Sequence, residues 1–483
     1  MADTPPLATL HRTLRRQFGF SSLREGQEEV IRSVLAGRDT LAILPTGAGK
    51  SLCYQLPALH LRGTTVVVSP LIALMKDQVD KLQELGIEAA QVNSALSARE
   101  EAAALAAIDE ERSEFVFTTP ERLTDPEFLA LLRGTTIDLF VVDEAHCLSQ
   151  WGHDFRPAYL ALRGALEALG RPRVLALTAT ATEPVIEDIV RHLELVDPAI
   201  LQTGIYRPNL RLEVVPVRSE EEKLAELPRL VANGGGTGIV YAATIKHCLA
   251  AHQHLAALGF AVAPYHGRLP ARERQAHQER FMAGELQAIV ATNAFGLGVD
   301  KPDIRFVVHL DMPGSLESYY QEAGRAGRDG EPARCVLLYL PADRRTQLYF
   351  LRGNLRRHRD DEKAALDRER LERMVHYGQT ALCRWRTLLE GFGEPAEEAL
   401  PEGRCCHCDR CERPLEAPSP PRADEGAAAV DRLPPPVGEA DPAALTAGDA
   451  LVLPVYGRGE VAAVDGEELV VAFADGETRR FRR

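Results

Sequence analysis

The sequence lacks any long apolar segment. No uncharged hydrophobic run approaches the roughly 18 residues that a membrane-spanning helix requires. The first residues, Met-Ala-Asp-Thr-Pro-Pro, lack the basic and apolar regions of a secretory signal peptide. We therefore expect an intracellular protein without a membrane partner. Its 483 residues are too many for one hydrophobic core and predict about three domains.

The sequence also lacks an excess of basic residues. Its 56 lysines and arginines against 70 aspartates and glutamates leave a net charge of −14. A nucleic-acid-binding protein usually carries a basic surface, so this balance counts against such a partner. The net charge is only an average, however, because residues 344–373 are rich in arginine and the chain ends in Thr-Arg-Arg-Phe-Arg-Arg. The sequence therefore allows a basic groove on an acidic body.

Cysteine is scarce outside one segment. Five of the nine cysteines fall between residues 383 and 411, which indicates a metal site in a reducing compartment more than a disulfide framework. A Cys-x-x-Cys-x-x-Cys run and one cysteine on a preceding helix can close on a tetrahedral, structural Zn²⁺. The proposed ligands are Cys383, Cys405, Cys408 and Cys411. A set that uses Cys406 or His407 is the alternative, and free surface thiols are disfavoured because they would oxidise.

The segment Leu44-Pro-Thr-Gly-Ala-Gly-Lys-Ser51 is typical of a phosphate cradle. An apolar strand precedes it and a helix can begin directly after it, so that backbone N–H groups point at one anion. Lys50 would reach the β- and γ-phosphates, and the Ser51 hydroxyl would hold Mg²⁺. The strict pattern has glycine at the position of Leu44, and a turn that needs glycine only for its geometry is the alternative. The nucleotide-binding residues proposed here are Thr46, Gly47, Gly49, Lys50 and Ser51.

An acidic pair follows the apolar run of residues 137–142. Asp143 would hold Mg²⁺, and Glu144 would act as general base on the attacking water. His146 could couple this site to another part of the molecule. A solvated acidic loop is the alternative, which the phosphate cradle elsewhere in the chain disfavours.

The order of these segments predicts an α/β fold. Apolar strands alternate with helical stretches, as in a parallel sheet that is covered on both faces and binds ligands at the carboxyl ends of its strands. The pattern restarts near Tyr206 without a second cradle and ends in Gln321-Glu-Ala-Gly-Arg-Ala-Gly-Arg-Asp-Gly330. Arg325 and Arg328, three residues apart on one helical face, would act as arginine fingers on a nucleotide in the first domain.

Two further elements have aromatic residues near polar ones. Upstream of the cradle, an amide and a guanidinium could read an adenine edge while an aromatic ring stacks on its face; a polar helix cap is the alternative. These residues are Phe20, Arg24 and Gln27. The loop of residues 149–157 could stack on single-stranded bases, or it could pack against the core. Its candidate DNA-coupling residues are Trp151, His153, Phe155 and Arg156.

With these motifs, residues 8–412 resemble the RecQ family of superfamily 2 DNA helicases. The resemblance implies ATP-driven 3′→5′ unwinding of duplex DNA, adenine recognition by Arg24 and Gln27, and action of Arg325 and Arg328 at the ATP phosphates. It also implies that residues 149–157 link DNA binding to ATP hydrolysis. The stretch Tyr241-Ala-Ala-Thr-Ile-Lys-His247 departs from the family's polar-Ser-Arg ending, and Lys246 is the substitute we consider for a DNA contact there.

The expected organisation has four folded parts and a linker. We predict two tandem RecA-like parallel-sheet domains at residues 1–205 and 206–340, a helical zinc-binding subdomain at 341–413, a disordered Pro-rich linker at 414–442 and a small β-barrel at 443–483. The barrel resembles the Tudor-like C-terminal module of UvrD/PcrA helicases and would bind protein or nucleic acid; a stabilising β appendage is the alternative. The linker has no room for the winged-helix domain of many RecQ proteins, so the usual β-hairpin wedge is not expected.

These features predict an ATP-dependent DNA helicase that acts in recombination and repair. Its cofactors would be ATP, Mg²⁺ and Zn²⁺, and its substrates single-stranded and forked duplex DNA. We expect a monomer in a bacterial, nucleoid-associated cytoplasm. A DNA-stimulated ATPase that remodels or anneals strands with little unwinding is the first alternative, and an RNA helicase of the same superfamily is the second.

Overall fold

The structure is a computed structural model that describes residues 5–149, 151–152, 155–296, 301–355, 361–412, 450–453, 457–465, 468–473 and 478–482. The chain divides into two compact units, Met1–Leu415 and Glu416–Arg483. None of the helices in these ranges is long and apolar enough to cross a membrane. The proposed linker at 414–442 lies outside the described residues.

The first sheet has seven strands, and all of its ladders are parallel. Its central strands are apolar and buried along most of their length, so each face carries its own hydrophobic cluster under a layer of helices. The order across the sheet is β3-β4-β2-β5-β6-β1-β7. The strands are β1 Thr40–Ile43, β2 Thr64–Val68, β3 Ala89–Val92, β4 Phe115–Thr118, β5 Ile137–Val142, β6 Arg173–Thr178 and β7 Ala199–Gln202.

The second sheet has six parallel strands. Their order is β10-β11-β9-β12-β13-β8, again with a hydrophobic cluster on each face. The prediction of two parallel-sheet domains in tandem is therefore confirmed. The strands are β8 Leu210–Pro216, β9 Thr237–Tyr241, β10 Val262–Tyr265, β11 Ala288–Ala291, β12 Ile304–His309 and β13 Ala333–Tyr339.

The helices follow the expected alternation with the strands. In the first domain they are α1 Leu7–Thr13, α2 Gln27–Leu35, α3 Leu52–Ala58, α4 Ile72–Glu84, α5 Ala98–Asp109, α6 Pro126–Gly134, α7 Leu162–Ala168 and α8 Glu183–His192. In the second they are α9 Glu220–Ala232, α10 Ile245–Ala257, α11 Ala271–Met282 and α12 Leu316–Ala323. The region that follows contains α13 Asp343–Leu355, α14 Asp361–Gln379, α15 Arg384–Gly391, α16 Ala396–Ala399 and α17 Asp409–Glu412.

Several strands have no counterpart among the predicted ones. Of these, β3, β7 and β8 lie at sheet edges, where each pairs with a single neighbour, whereas β13 is a buried strand between β12 and β8. β3 reads Ala-Ala-Gln-Val, so the β-branched residues that mark central strands are few. β8 alternates buried and partly exposed side chains, as a strand with one covered face does.

The helical region after β13 shares the core of the second domain. The fully buried ring of Trp385 packs in that core and donates a hydrogen bond from Nε1 to the Leu210 carbonyl at 3.1 Å. The buried Arg384 guanidinium pairs with Asp409 at 2.9 Å and donates to the Tyr377 carbonyl. These contacts fix the cysteine-bearing segment against β8 and α14.

The second compact unit contains a four-stranded antiparallel sheet. Its strands pair in chain order, and the ladders among the described residues do not close the sheet into the barrel we expected. The strands are β14 Ala450–Leu453, β15 Gly457–Asp465, β16 Glu468–Phe473 and β17 Thr478–Arg482.

A buried ion cluster connects the second sheet to α13. The Lys223 ammonium is fully buried and lies 2.8 Å from Asp311 and 2.7 Å from Asp343. Burial alone would lower the pKa of Lys223, but the two carboxylates raise it above its ordinary value, so the side chain is charged. His247 also contacts Asp311, at 2.9 Å.

Lys223→Ala should destabilise the second domain by about 3–5 kcal/mol, because it leaves two buried carboxylates without their cation. The urea midpoint of unfolding, followed by fluorescence, measures this loss. Lys246→Ala, which removes an exposed lysine from the same domain, is the matched control. Equal midpoints for the two variants would contradict the stabilising role of the cluster.

Candidate nucleotide-binding cleft and nucleic-acid contacts

The phosphate cradle, residues 44–51, joins β1 to α3. Gly47 and Gly49 have φ angles of +87° and +78°, which L-residues with a side chain rarely adopt. A Cβ on Gly49 would also lie 2.6 Å from the Gln27 amide nitrogen. The two glycines are therefore required by the backbone of this turn.

Lys50 lies inside the cleft that the cradle borders. Its ammonium donates to the Leu44 carbonyl at 3.2 Å. Burial lowers the pKa of Lys50, while the negative charges of Glu144 and Asp143 oppose that shift. A buried cation at a helix N-terminus suits a polyphosphate ligand.

The acidic pair lies directly beyond β5, at the carboxyl edge of the sheet. The Asp143 backbone N–H donates to the Val68 carbonyl at 2.9 Å, and the Ser69 hydroxyl donates to its carboxylate at 3.4 Å. Burial, followed by the neighbouring Glu144 charge, raises the pKa of Asp143 to about 7. A divalent cation at this carboxylate would favour its ionised form.

His146 connects the acidic pair to the end of β6. Its Nδ1 atom lies 3.3 Å from a Glu144 carboxylate oxygen and 3.0 Å from the Thr178 hydroxyl. Thr178 in turn donates to the Thr180 carbonyl at 3.0 Å. The buried imidazole of His146 thus links Glu144, the candidate general base, to the turn of residues 178–182 at the end of β6.

Arg325 and Arg328 line the opposite wall of the same cleft, whose volume is about 800 Å³. The expectation that they share one helical face is wrong, because α12 ends at Ala323 and both arginines lie in the turn that follows. Gly324 and Gly327 occupy this turn, and Gly327 has a φ of +55°. We call residues 324–330 the finger turn.

The upstream element borders the cleft and also supports the cradle. The Gln27 amide donates to the carbonyls of Ala48 and Gly49 at 2.8 and 3.0 Å. Arg24 donates from its guanidinium to the Gly47 carbonyl. Phe20 is half-exposed among the residues that line the cleft.

The aromatic loop, residues 149–157, has Trp151 exposed by 41%. The Arg156 guanidinium donates to the Pro70 carbonyl at 3.2 Å, and the ammonium of Lys363 lies 5.2 Å from the centre of the Phe155 ring. His153 lies outside the described residues. The loop therefore presents one large aromatic surface while other members hold it in place.

Arg370 on α14 holds this loop in place, although none of the sequence motifs includes it. Its guanidinium donates to the carbonyls of Trp151 and Gly152, the latter at 3.2 Å. Glu317 and Asp367 lie 3.8 and 3.5 Å from the same guanidinium. Arg370 and Gly152 are 218 residues apart in the sequence, and only folding brings them together. No local sequence pattern could therefore have predicted this contact.

The four predicted zinc ligands come together. Their sulfurs lie within 4.8 Å of one another, with 3.8 Å between Cys405 and Cys411 and 4.0 Å between Cys408 and Cys383. Four thiolates at about 2.3 Å from a tetrahedral Zn²⁺ would be roughly 3.8 Å apart, so the set fits this metal.

The neighbouring residues are turned away from this cluster. The Cys406 side chain is exposed, and its thiol lies 3.8 Å from the Arg404 carbonyl. His407 directs Nδ1 to the Cys405 carbonyl at 2.5 Å. The geometry thus favours the ligand set with Cys383. This cysteine was expected within a helix, but it is the N-cap residue directly before α15.

Protein-family models match three successive parts of the first unit, the two sheet domains and the cysteine-bearing helical region. Residues 24–189 match the DEAD/DEAH box helicase family, 222–330 the helicase conserved C-terminal domain and 341–412 the RecQ zinc-binding family. ATP-dependent DNA helicase RecQ of Bacillus subtilis (strain 168) is 44% identical over 404 residues, which are 83% of this chain and 67% of that protein. The chain belongs to the RecQ family of ATP-dependent DNA helicases.

Other RecQ-family relatives agree with this assignment. The probable ATP-dependent DNA helicase RecS of B. subtilis is 44% identical over 70% of this chain and 68% of its own length. ATP-dependent DNA helicase RecQ of Pasteurella multocida is 38% identical over 85% of this chain and 63% of its own length. The chain thus spans about two thirds of these relatives. It is an ATP-dependent DNA helicase of the RecQ type, as the sequence predicts.

Solved structures share the fold at low identity. The helicase MrfA bound to DNA has a TM-score of 0.58 and 20% identity, covering 72% of this chain and 50% of that one. The DEAD-box helicase Mss116 bound to single-stranded RNA has a TM-score of 0.59 and 20% identity, covering 72% and 75%. Both likenesses concern the fold of the paired α/β domains.

Arg370→Ala should raise the single-stranded DNA concentration that half-maximally stimulates ATP hydrolysis by about fivefold, since the two lost hydrogen bonds contribute roughly 0.5 kcal/mol each to the loop's order. A titration of the ATPase rate with oligodeoxythymidylate measures this shift. Arg373→Ala on the same helix removes an exposed ion pair with Glu369 and is the control. An unchanged titration for Arg370→Ala would refute the positioning of the loop.

Cys383→Ser should abolish zinc binding and lower the thermal midpoint, because a four-thiolate site stabilises its subdomain through the metal. Elemental analysis should find about one zinc per wild-type chain. Cys406→Ser should retain it, because that thiol is directed away from the cluster. Loss of zinc in Cys406→Ser but not in Cys383→Ser would favour the alternative ligand set.

Proposed function

We propose that this helicase translocates 3′→5′ on single-stranded DNA and unwinds forked duplex DNA in recombination and repair. One observation carries the proposal: Lys50 and the Asp143–Glu144 pair of one domain border the same cleft as Arg325 and Arg328 of the other. Such a divided site makes hydrolysis depend on how the two domains meet. That dependence converts ATP turnover into movement along a strand.

The cleft residues have separate roles in phosphoryl transfer. Lys50 binds the β- and γ-phosphates, and Thr46, Gly47 and Gly49 shape the cradle around them. Ser51 and Asp143 would hold Mg²⁺, which neutralises phosphate charge. Glu144 accepts the proton of the attacking water. Arg325 and Arg328 stabilise the charge that develops in the transition state.

Adenine recognition falls to the upstream element. Phe20 is exposed enough to stack on a base, and Arg24 and Gln27 lie beside it in the cleft. The Gln27 amide oxygen accepts from the Arg24 backbone N–H at 2.8 Å, while its nitrogen donates to the cradle. Recognition of adenine by Gln27 therefore requires an exchange of hydrogen bonds, which would report nucleotide binding to the cradle.

The DNA contact centres on the aromatic loop. Trp151 offers a face for base stacking, which favours single-stranded substrate. Phe155, Arg156 and His153 complete the proposed coupling set. The loop begins directly after the His146 segment, so a change in Trp151 has a short covalent path to Glu144.

Two further parts complete the proposal. Zn²⁺ bound by the four cysteines stabilises the helical subdomain and takes no part in the chemistry. The C-terminal unit, as a small Tudor-like module, binds a protein or nucleic-acid partner. The bacterial relatives favour a nucleoid-associated cytoplasmic protein, and we expect it to act as a monomer.

The decisive experiment compares a forked duplex with duplexes that carry only a 3′ or only a 5′ single-stranded tail. We expect ATP-dependent strand separation on the 3′-tailed substrate, and none with Lys50→Ala, which removes the phosphate-binding ammonium. DNA-stimulated hydrolysis without strand separation would indicate the strand-remodelling ATPase instead. Stimulation by RNA equal to that by single-stranded DNA would overturn the choice of substrate.

A further inference from the structure

Arg207 is a buried arginine in the segment that joins the two sheets, between β7 and β8. Its exposed fraction is 9%. In the sequence, this stretch only marks where the second domain begins.

Within the second domain, Arg207 binds the backbone of the finger turn. It donates from Nη1 to the Gly324 carbonyl at 2.8 Å and from Nη2 to the Ala326 and Gly327 carbonyls at 3.0 and 2.5 Å. These three carbonyls flank Arg325 and directly precede Arg328 in the chain. The guanidinium therefore holds the peptide units that carry both candidate fingers.

The same Nη1 atom reaches the first domain. It donates to the Thr46 carbonyl in the phosphate cradle at 3.2 Å. Space there is tight, since a Cβ on Gly47 would lie 3.2 Å from Cγ of Arg328 and 3.5 Å from Nη1 of Arg207. One side chain thus joins the cradle of one domain to the finger turn of the other.

The charge of Arg207 has no obvious structural purpose. All five of its hydrogen-bond acceptors among the described residues are neutral oxygens, and none of the ion pairs found there includes it. Burial lowers its pKa, and the nearby Arg328 and Arg24 lower it further. A buried cation without a carboxylate is costly, so the position demands donors that can reach several carbonyls at once, as a planar guanidinium does.

The backbone that carries Arg207 is itself held firmly. The Ile205 N–H donates to the Glu394 carboxylate at 3.0 Å, and the Tyr320 hydroxyl donates to the Ile205 carbonyl at 2.9 Å. Asn209 also binds the finger turn, since its Nδ2 atom donates to the Gly327 carbonyl at 2.9 Å. The guanidinium therefore has a fixed origin from which it can position the turn.

We propose that Arg207 is a positioning residue that sets Arg325 and Arg328 against the phosphate cradle and thereby controls the rate of ATP hydrolysis without touching the nucleotide. The proposal rests on the proposed function in one respect, that the two fingers act at the ATP phosphates. Four of its five hydrogen bonds lie within the second domain and one crosses to the first, so Arg207 sets the position of the fingers when the two domains meet.

The test measures Arg207→Gln in the full chain, both with the fingers present and in a background with Arg325→Ala and Arg328→Ala. With the fingers, kcat of DNA-stimulated hydrolysis should fall at least about tenfold, since small misplacements of reacting groups are costly. KM for ATP should change less than about threefold, because the phosphates keep Lys50 and the cradle. Without the fingers, the same substitution should change kcat less than about twofold, since its effect operates through them.

Arg171→Gln is the control. It removes another arginine that donates to a backbone carbonyl, that of Leu193 at 3.0 Å, at the ends of the strands opposite the cleft. Its kcat should equal that of wild type. An equal loss in both backgrounds, or wild-type kcat for Arg207→Gln, would overturn the proposal. Should Arg207→Gln not fold, Arg207→Lys replaces it in the same comparison, with the same criteria, because an ammonium keeps the charge but lacks the planar fork that reaches several carbonyls. Wild-type kcat in the background without fingers would instead refute the finger roles themselves.

Discussion

The cleft depends on one constraint, that the cradle must keep several of its backbone N–H groups available to an anion. Its carbonyls then need other donors, and side chains from distant parts of the chain supply most of them. The donors are Lys50 to Leu44, Arg207 to Thr46, Arg24 to Gly47, and Gln27 to Ala48 and Gly49. The bonds to the Thr46, Ala48 and Gly49 carbonyls fix peptide units whose N–H ends, those of Gly47, Gly49 and Lys50, stay available to phosphate. The donors are cations or amides, so they add positive potential around the same anion.

This arrangement connects parts of the molecule that do different things. The upstream element holds the cradle from the side where the base would lie, and Arg207 holds it from the finger turn. The helical subdomain contacts two other parts of the molecule. Glu394 accepts a hydrogen bond from the segment between the two sheets, and Arg370 donates to the aromatic loop. A metal that orders this subdomain would therefore influence hydrolysis and DNA contact, although it lies outside the cleft.

Much of the fold follows from local pattern, because buried parallel strands are continuous apolar runs. The edge strands β3, β7 and β8 escaped prediction, since a strand with a single neighbour has a weaker signature, and the buried inner strand β13 was also missed. Arg325 and Arg328 were predicted as fingers from residue type and spacing, but the prediction that they lie on a helix was wrong. Gly324 and Gly327 end α12 early, and the short spacing that suggests a helical face also fits a turn.

The sequence by itself determined the family and predicted the chemistry of the site, because the cradle, the acidic pair and the cysteine run are each contiguous or nearly so. The spacing of their residues is imposed by backbone geometry around a phosphate or a metal. These motifs can therefore be recognised in the sequence without knowledge of the fold. Only the tertiary structure decided which groups hold these segments in place. Arg207 and Arg370 act on backbone carbonyls more than 100 residues away, |i−j| being 117 to Gly324 and 218 to Gly152. Every residue offers a carbonyl, so the sequence contains no sign of the partner, and only the folded chain selects it.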